Sequence, residues 1–286
     1  MHALVYTDTQ KIEYREEKNP TEKQGESILK IQASGICGSD MHAYHGKNDR
    51  RIPPLILGHE VSGVIQNGKF KDKTVVLNPL ISCEKCDYCK NGREHLCPER
   101  TMIGMSRPIK REGGLAELVS VPEKNIYEVP KALDTKEAAL AEPAAVALHA
   151  VILAEQTLKK LLAESKVLVQ GAGAIGLLCG LILSKDKNCK NIVLSDPNKK
   201  RLDECSKYLD AKFVNPMDKS IKDYQAALYE IKSNIPSESM LKRETWYNQA
   251  NLFTYSIIFY IISFILISFS LLFWPNILRK VSFVSI

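Results

Sequence analysis

Lys166-Val167-Leu168-Val169-Gln170-Gly171-Ala172-Gly173-Ala174-Ile175-Gly176 is the stretch that decides how this chain folds. Its first half is rich in branched apolar residues and reads as a β-strand. Its second half is Gly-x-Gly-x-x-Gly, and the apolar run from Ala174 to about Lys185 reads as the helix it opens. Strand, glycine turn and helix in that order make the entry to a dinucleotide-binding βαβ unit. The first glycine makes the turn, the second lets a pyrophosphate approach the backbone, and the third lets helix and strand pack closely. The N-terminus of the helix then turns its N–H groups toward the phosphates. Gly171, Gly173, Ala174, Ile175 and Gly176 are the candidate cofactor contacts.

Downstream, Asn191-Ile192-Val193-Leu194-Ser195 reads as a second strand and ends at Asp196, twenty residues after Gly176. An acid at that place accepts hydrogen bonds from both adenosine ribose hydroxyls and repels a 2′-phosphate, which favours NAD over NADP. Asn198-Lys199-Lys200-Arg201 comes next, and from the residues alone it reads as readily as the start of a solvated helix as anything more specific. Lys212-Phe213-Val214-Asn215 offers a third strand.

Upstream, residues 1 to about 150 read as mostly β, with turns at Gly25, Gly46, Pro53-Pro54, Gly68, Pro79 and Pro122. Four of the eight cysteines fall within fifteen residues, at Cys83, Cys86, Cys89 and Cys97. Two-residue gaps let a tight turn aim successive thiolates inward, and the longer gap returns the fourth. That is the spacing of a closed, all-thiolate structural zinc lobe over 83–97. Disulfides and free buried thiols are the competing readings. Met1-His2-Ala3-Leu4-Val5-Tyr6 reads as an amphipathic strand and not as a secretory signal, which argues against an oxidising compartment.

A second, mixed set of ligands comes from three segments: Gly35-Ile36-Cys37-Gly38-Ser39-Asp40-Met41-His42, Leu57-Gly58-His59-Glu60-Val61 and Ala141-Glu142-Pro143. Cys37, His59, Glu60 and Glu142 offer sulfur, nitrogen and oxygen. Catalytic zinc typically takes three protein ligands and keeps one position open. Taken singly, each is as readily a core thiol or a solvated side chain.

The net charge of +6 is modest and its cations are dispersed, with no basic block carrying aromatics, so nucleic-acid binding is disfavoured. Near residue 220 the composition changes. A polar stretch, 219–251, leads into Leu252 to Trp274, 23 residues without a charge. At ~1.5 Å per residue such a run crosses a hydrocarbon core of ~30 Å, so 252–274 reads as one transmembrane helix with a tail over 275–286. Trp246, Tyr247, Phe273 and Trp274 stand at its ends, where interfacial aromatics belong. Lys242 and Arg243 before it balance Arg279 and Lys280 after it, so orientation stays open.

Together these segments resemble the medium-chain, zinc-dependent alcohol dehydrogenase family, in the branch of sorbitol, other polyol and threonine dehydrogenases. The resemblance covers residues 1 to about 218. It includes Gly58-His59-Glu60, the four-cysteine lobe, Gly113-Gly114-Leu115-Ala116-Glu117 and Glu142-Pro143. It implies a GroES-like β domain over 1–150, then a Rossmann domain beginning at 151. It also implies two zinc ions per chain and NAD. Cys37 and His59 would ligate the catalytic zinc, with Glu142 where many alcohol dehydrogenases have a third cysteine and Glu60 able to join. Ser39 and His42 match the family's proton relay. Asp40 matches the carboxylate that orients the zinc-bound histidine, and Arg201 the basic residue near the adenosine. The implied reaction is hydride transfer from a secondary alcohol, of polyol or sugar-acid type, in a cytoplasmic dehydrogenase portion.

After about Met217 the family pattern ends. Residues 219–286 do not supply the half of a Rossmann domain that holds the nicotinamide ring, nor the return to the first domain. Turnover is therefore expected to be impaired, and a family-type oligomer is not expected. The segments Ile235-Pro236-Ser237-Glu238-Ser239 and Glu244-Thr245-Trp246-Tyr247-Asn248, with the apolar run, faintly resemble bacterial membrane proteins of cytochrome c assembly. Two expectations of different class result: a zinc polyol dehydrogenase anchored by a single C-terminal span, or a non-catalytic, membrane-tethered zinc-binding remnant arising from a fusion or assembly join.

Overall fold

A computed structural model describes residues 1–158 and 161–218. They form two compact units, the first ending at Ala145 and the second beginning at Val146.

The first unit is mostly β. Its order is β1 (His2–Asp8), β2 (Lys11–Glu16), β3 (Glu26–Gly35), α1 (Gly38–Tyr44), β4 (Leu55–Ile56), β5 (Glu60–Ile65), β6 (Thr74–Leu77) and β7 (Leu80–Ile81). Then come α2 (Asp87–Lys90), β8 (Thr101–Met102), β9 (Leu118–Pro122), β10 (Ile126–Glu128) and α3 (Thr135–Ala138). Five strands make an antiparallel sheet in the order β10-β6-β5-β3-β9. Branched residues are favoured where a pleated surface is half buried. Here Leu29, Val61, Ile65, Val75, Leu77, Val119 and Val121 pack together as the core of this sheet. A smaller sheet, β2-β1-β4, carries Val5 and Tyr6 into separate buried clusters. Two joints position the polar residues of this unit: β3 runs into α1, and β4 runs through Leu57-Gly58-His59 into β5.

One helix, α4 (Ala141–Leu158), starts in the first unit and continues into the second. The sequence reading set the boundary near 150. The chain changes allegiance earlier, because Ala147 and Val151 already pack with the core of the second unit.

The second unit adds β11 (Lys166–Gln170), α5 (Ala174–Lys185), β12 (Asn191–Ser195), α6 (Lys199–Cys205) and β13 (Lys212–Val214). The strands are parallel, in the order β11-β12-β13, and β11 pairs with β12 from Lys166↔Asn191 to Gln170↔Ser195. Parallel strands joined by helices are buried on both faces and run apolar throughout. Val169, Leu194, Cys179, Leu183 and Leu209 accordingly share one core. The strand, glycine turn and helix read from the sequence stand where that reading put them.

Among the described residues no helix is long and apolar enough to cross a membrane. The expected linker, span and tail over 219–286 lie outside the described residues.

Candidate functional site

The four-cysteine lobe hangs between β7 and β8. Cys83 follows β7, Cys86 caps α2, Cys89 lies within it, and Cys97 follows a short turn over Glu94–Leu96. Glu84 takes a left-handed φ of 61°, which turns the chain sharply between the first two ligands. All four sulfurs lie within 4.8 Å of one another, with Cys86 to Cys89 at 3.5 Å and Cys83 to Cys89 at 3.9 Å. Tetrahedral zinc with spokes of ~2.3 Å sets its sulfurs ~3.8 Å apart, whereas a disulfide needs ~2.05 Å. All four thiols are free. The spacing therefore fits the metal and not the cross-link. Backbone N–H groups of Lys85 and Cys86 bring the Cys83 thiol down to about 6. Burial, then the bond to Cys86, pushes Cys89 up to about 12.

The mixed site forms where the two joints meet. Cys37 is the residue before α1, and Asp40 Oδ2 accepts its backbone N–H at 3.1 Å. Asp40 Oδ1 accepts the Gly58 N–H at 3.4 Å and faces His59 Nδ1 at 3.5 Å. A carboxylate behind Nδ1 leaves Nε2 as the free ligand atom of the ring. Burial pushes the Asp40 carboxyl up, but the His59 ring facing it and the charge of Arg51 outweigh that. It stands below its ordinary value. Glu60 opens β5 opposite Gly35. A β-carbon at Gly35 would collide with the Glu60 carboxylate, so glycine there is what leaves room for it. The ligand atoms of Cys37, His59 and Glu60 all lie within 4.8 Å of one another.

Glu142 does not join that tight group. It sits in the first turn of α4, buried to 8% exposure, and burial pushes its carboxyl up to about 7, with Glu60 and Asp40 adding to the rise. Ser39 is buried and its Oγ has no hydrogen-bond partner among the described residues, while His42, three positions on along α1, is exposed. Two residues of this site escaped the sequence reading. Gly35 is meaningful only once β3 is paired with β5. Arg51 lies in an ordinary polar loop yet is 2% exposed and reaches Asp40.

In the second unit, Gly171 adopts a φ of +100°, and a β-carbon at Gly176 would run into the Gly171 carbonyl. Gly173 is the residue before α5 and a β-carbon there would meet nothing, so the approach to the helix N-terminus beside Ala174 and Ile175 is open. Asp196 is 3% exposed, and both of its oxygens serve the backbone: Oδ2 accepts from Ala172 N at 2.9 Å and Oδ1 from Asn198 N at 2.7 Å. A carboxylate has about four acceptor positions, so capacity for ribose hydroxyls remains. Asn198 Oδ1 accepts from Lys200 N and caps α6, which accounts for the basic run as a helix start. Arg201 lies on the exposed side of that turn, with Nη1 3.6 Å from Asp196 Oδ2.

Residues 23–131 match the alcohol dehydrogenase GroES-like domain. The chain is 31% identical over 234 residues to L-galactonate-5-dehydrogenase of Escherichia coli K12, covering 80% of this chain and 64% of that protein. Among solved structures, galactitol-1-phosphate dehydrogenase from Escherichia coli superposes with a TM-score of 0.70 at 29% identity, over 81% of this chain and 66% of that one. The "short chain alcohol dehydrogenase (rspB)" of Escherichia coli CFT073, complexed with NADH, gives a TM-score of 0.69 at 28% identity, over 81% and 66%. The chain thus spans slightly less than two thirds of the length of the relatives it matches. With its thiolate lobe, its mixed site and its glycine loop in the family's order, the chain carries an alcohol dehydrogenase GroES-like domain and, over the residues matched, is similar to medium-chain, zinc-dependent dehydrogenases of the polyol dehydrogenase-like type.

Proposed function

We propose that this chain carries the zinc sites and the adenosine half of the cofactor site of an NAD-linked dehydrogenase acting on a secondary alcohol of polyol or sugar-acid type. The observation that carries the reading is the convergence of Cys37, His59 and Glu60 within 4.8 Å, backed by Asp40. Sulfur, nitrogen and oxygen ligands of that number suit an open zinc site, and the all-thiolate lobe suits a closed one. When bound, zinc supplies Lewis acidity toward a hydroxyl, and NAD accepts the hydride.

The chain's own residues do the rest. Cys37, His59 and Glu60 hold the metal, with Glu142 as a further carboxylate at the wall. Asp40 fixes the His59 ring. Ser39 is buried and His42, one turn along α1, is exposed, so the two lead a proton from the substrate hydroxyl toward solvent. Gly171, Gly173 and Gly176 shape the phosphate turn, and Asp196 disfavours a 2′-phosphate. Solved relatives are complexed with NADH in one case and NADP in another, so the preference rests on Asp196.

A second reading is a zinc-binding, adenosine-binding protein without turnover. It is favoured by the change of composition near residue 220, where a polar stretch leads into an uncharged apolar run. We also propose that 252–274 anchors the chain in a membrane. The full chain, given zinc and NAD, is to be assayed by NADH absorbance against sorbitol, butanediol, threonine and sugar acids. Zinc-dependent NADH formation that a His59→Ala variant abolishes supports the enzyme. Two bound zinc ions without NADH support the second reading. Failure to bind zinc at His59 overturns both.

A further inference from the structure

Arg51 is the largest side chain sealed inside the first unit, at 2% exposure. A guanidinium so enclosed is strongly unfavourable without partners. Its Nε donates to the Gly104 carbonyl at 3.0 Å and lies 3.9 Å from Asp40 Oδ1. Its Nη2 has no hydrogen-bond partner among the described residues. Asp40, also 2% exposed, ties three other pieces of backbone and side chain together: Cys37 N, Gly58 N and His59 Nδ1. Four segments therefore close on one buried cation and one buried anion. They are the loop before β4, the first turn of α1, the Gly58-His59 joint and the turn at Gly104. Two of the four supply Cys37 and His59.

We propose that Arg51 is a positioning residue for the mixed metal site. It holds the Asp40 carboxylate in place, and Asp40 in turn fixes the His59 ring toward the ligand cluster. This rests on the reading that Cys37, His59 and Glu60 bind a metal. Without the guanidinium, Asp40 is a buried anion whose fixed cation is gone, and it swings away from His59. A metal-bound histidine that loses the partner behind it holds its metal ~10–100-fold more weakly.

The test is a cycle on the full chain: wild type, R51M, D40N and the D40N/R51M double variant, with R51K as the charge-keeping control. Zinc affinity is read by chelator competition, and cobalt substitution reports ligand geometry by absorption. The tight zinc of the thiolate lobe should remain in every variant, showing that the unit is folded. The weaker site should lose ~10–100-fold in R51M, and less in R51K. The double variant should be no weaker than D40N alone, because Arg51 acts through Asp40. Unchanged affinity in R51M overturns the proposal, as does an equal loss in the presence and absence of the D40N change. If R51M also sheds the lobe's zinc, R51K decides: it must keep that zinc and still weaken the mixed site, and a wild-type affinity there overturns the proposal. A wild-type chain that binds one zinc only overturns the functional reading first, and this inference with it.

Discussion

At the scale of single residues, chemistry follows from what each polar atom touches. Cys97 is fully buried within the sulfur cluster, so its loss opens a closed site. Cys97→Ser in the full chain should release about one zinc per chain and lower the melting temperature, since the metal's binding energy is part of folding. Elemental analysis after desalting checks this, and an unchanged zinc content would refute the assignment. Asp196 serves the backbone instead of a metal. Its carboxylate holds two backbone N–H groups, so Asp196→Ala should cost about 1–3 kcal/mol for each donor left unpaired, beyond any change in cofactor choice. Hydrogen exchange at Ala172 and Asn198 should accelerate in the variant. Protection equal to wild type would show that the loop does not depend on the acid.

At the scale of elements, one carboxylate adds to the backbone ladders that hold β3 between β5 and β9. Glu26 accepts from Arg111 Nη1 at 2.6 Å and from Ser120 Oγ at 2.5 Å. Burial pushes the Glu26 carboxyl up, but the Ser120 and Arg111 bonds prevail, and it stands below its ordinary value. A depressed carboxylate contributes stability above its unfolded pKa of ~4.3 and loses that contribution as the pH falls through the folded value. Glu26→Gln should therefore cost about 1–2 kcal/mol at pH 7 and close to nothing well below pH ~4. Denaturant titrations of both proteins at the two pH values measure it. Taking the difference removes the acid loss of zinc that they share. A cost that is the same at both values would sink the linkage. Local elements of this kind were legible in the sequence. The helix from Ala174 to Lys185 and the strands at 166–170 and 191–195 announce themselves by runs of neighbours. So did the lobe, whose four ligands lie close together in the chain. The mixed site was legible only as fragments, because its ligands come from separate segments brought together by the β3–β5 register. Gly35 and Arg51 had no local signal, since the reason for each is a residue far away in sequence. Glu142 reads in the sequence as a direct ligand, and the described geometry leaves it beside the group of three.

At the scale of the whole molecule, a family-like portion is followed by a polar stretch and then an uncharged apolar run. If 252–274 anchors the protein, the full chain should sediment with membranes through a carbonate wash, while a chain ending at 218 should stay in the supernatant. Release of the full chain by carbonate would remove the anchor from the proposal. The division into units also sorts the chemistry along the gene. Every candidate metal ligand, from Cys37 to Glu142, precedes the boundary at Ala145, whereas every candidate cofactor contact, from Gly171 to Arg201, lies beyond it. Genetic damage downstream of that point can thus erase redox chemistry while leaving the whole ligand inventory encoded. In such a lineage zinc content would be a poor witness to enzyme activity, and a metal assay alone would score a dead descendant as a living dehydrogenase.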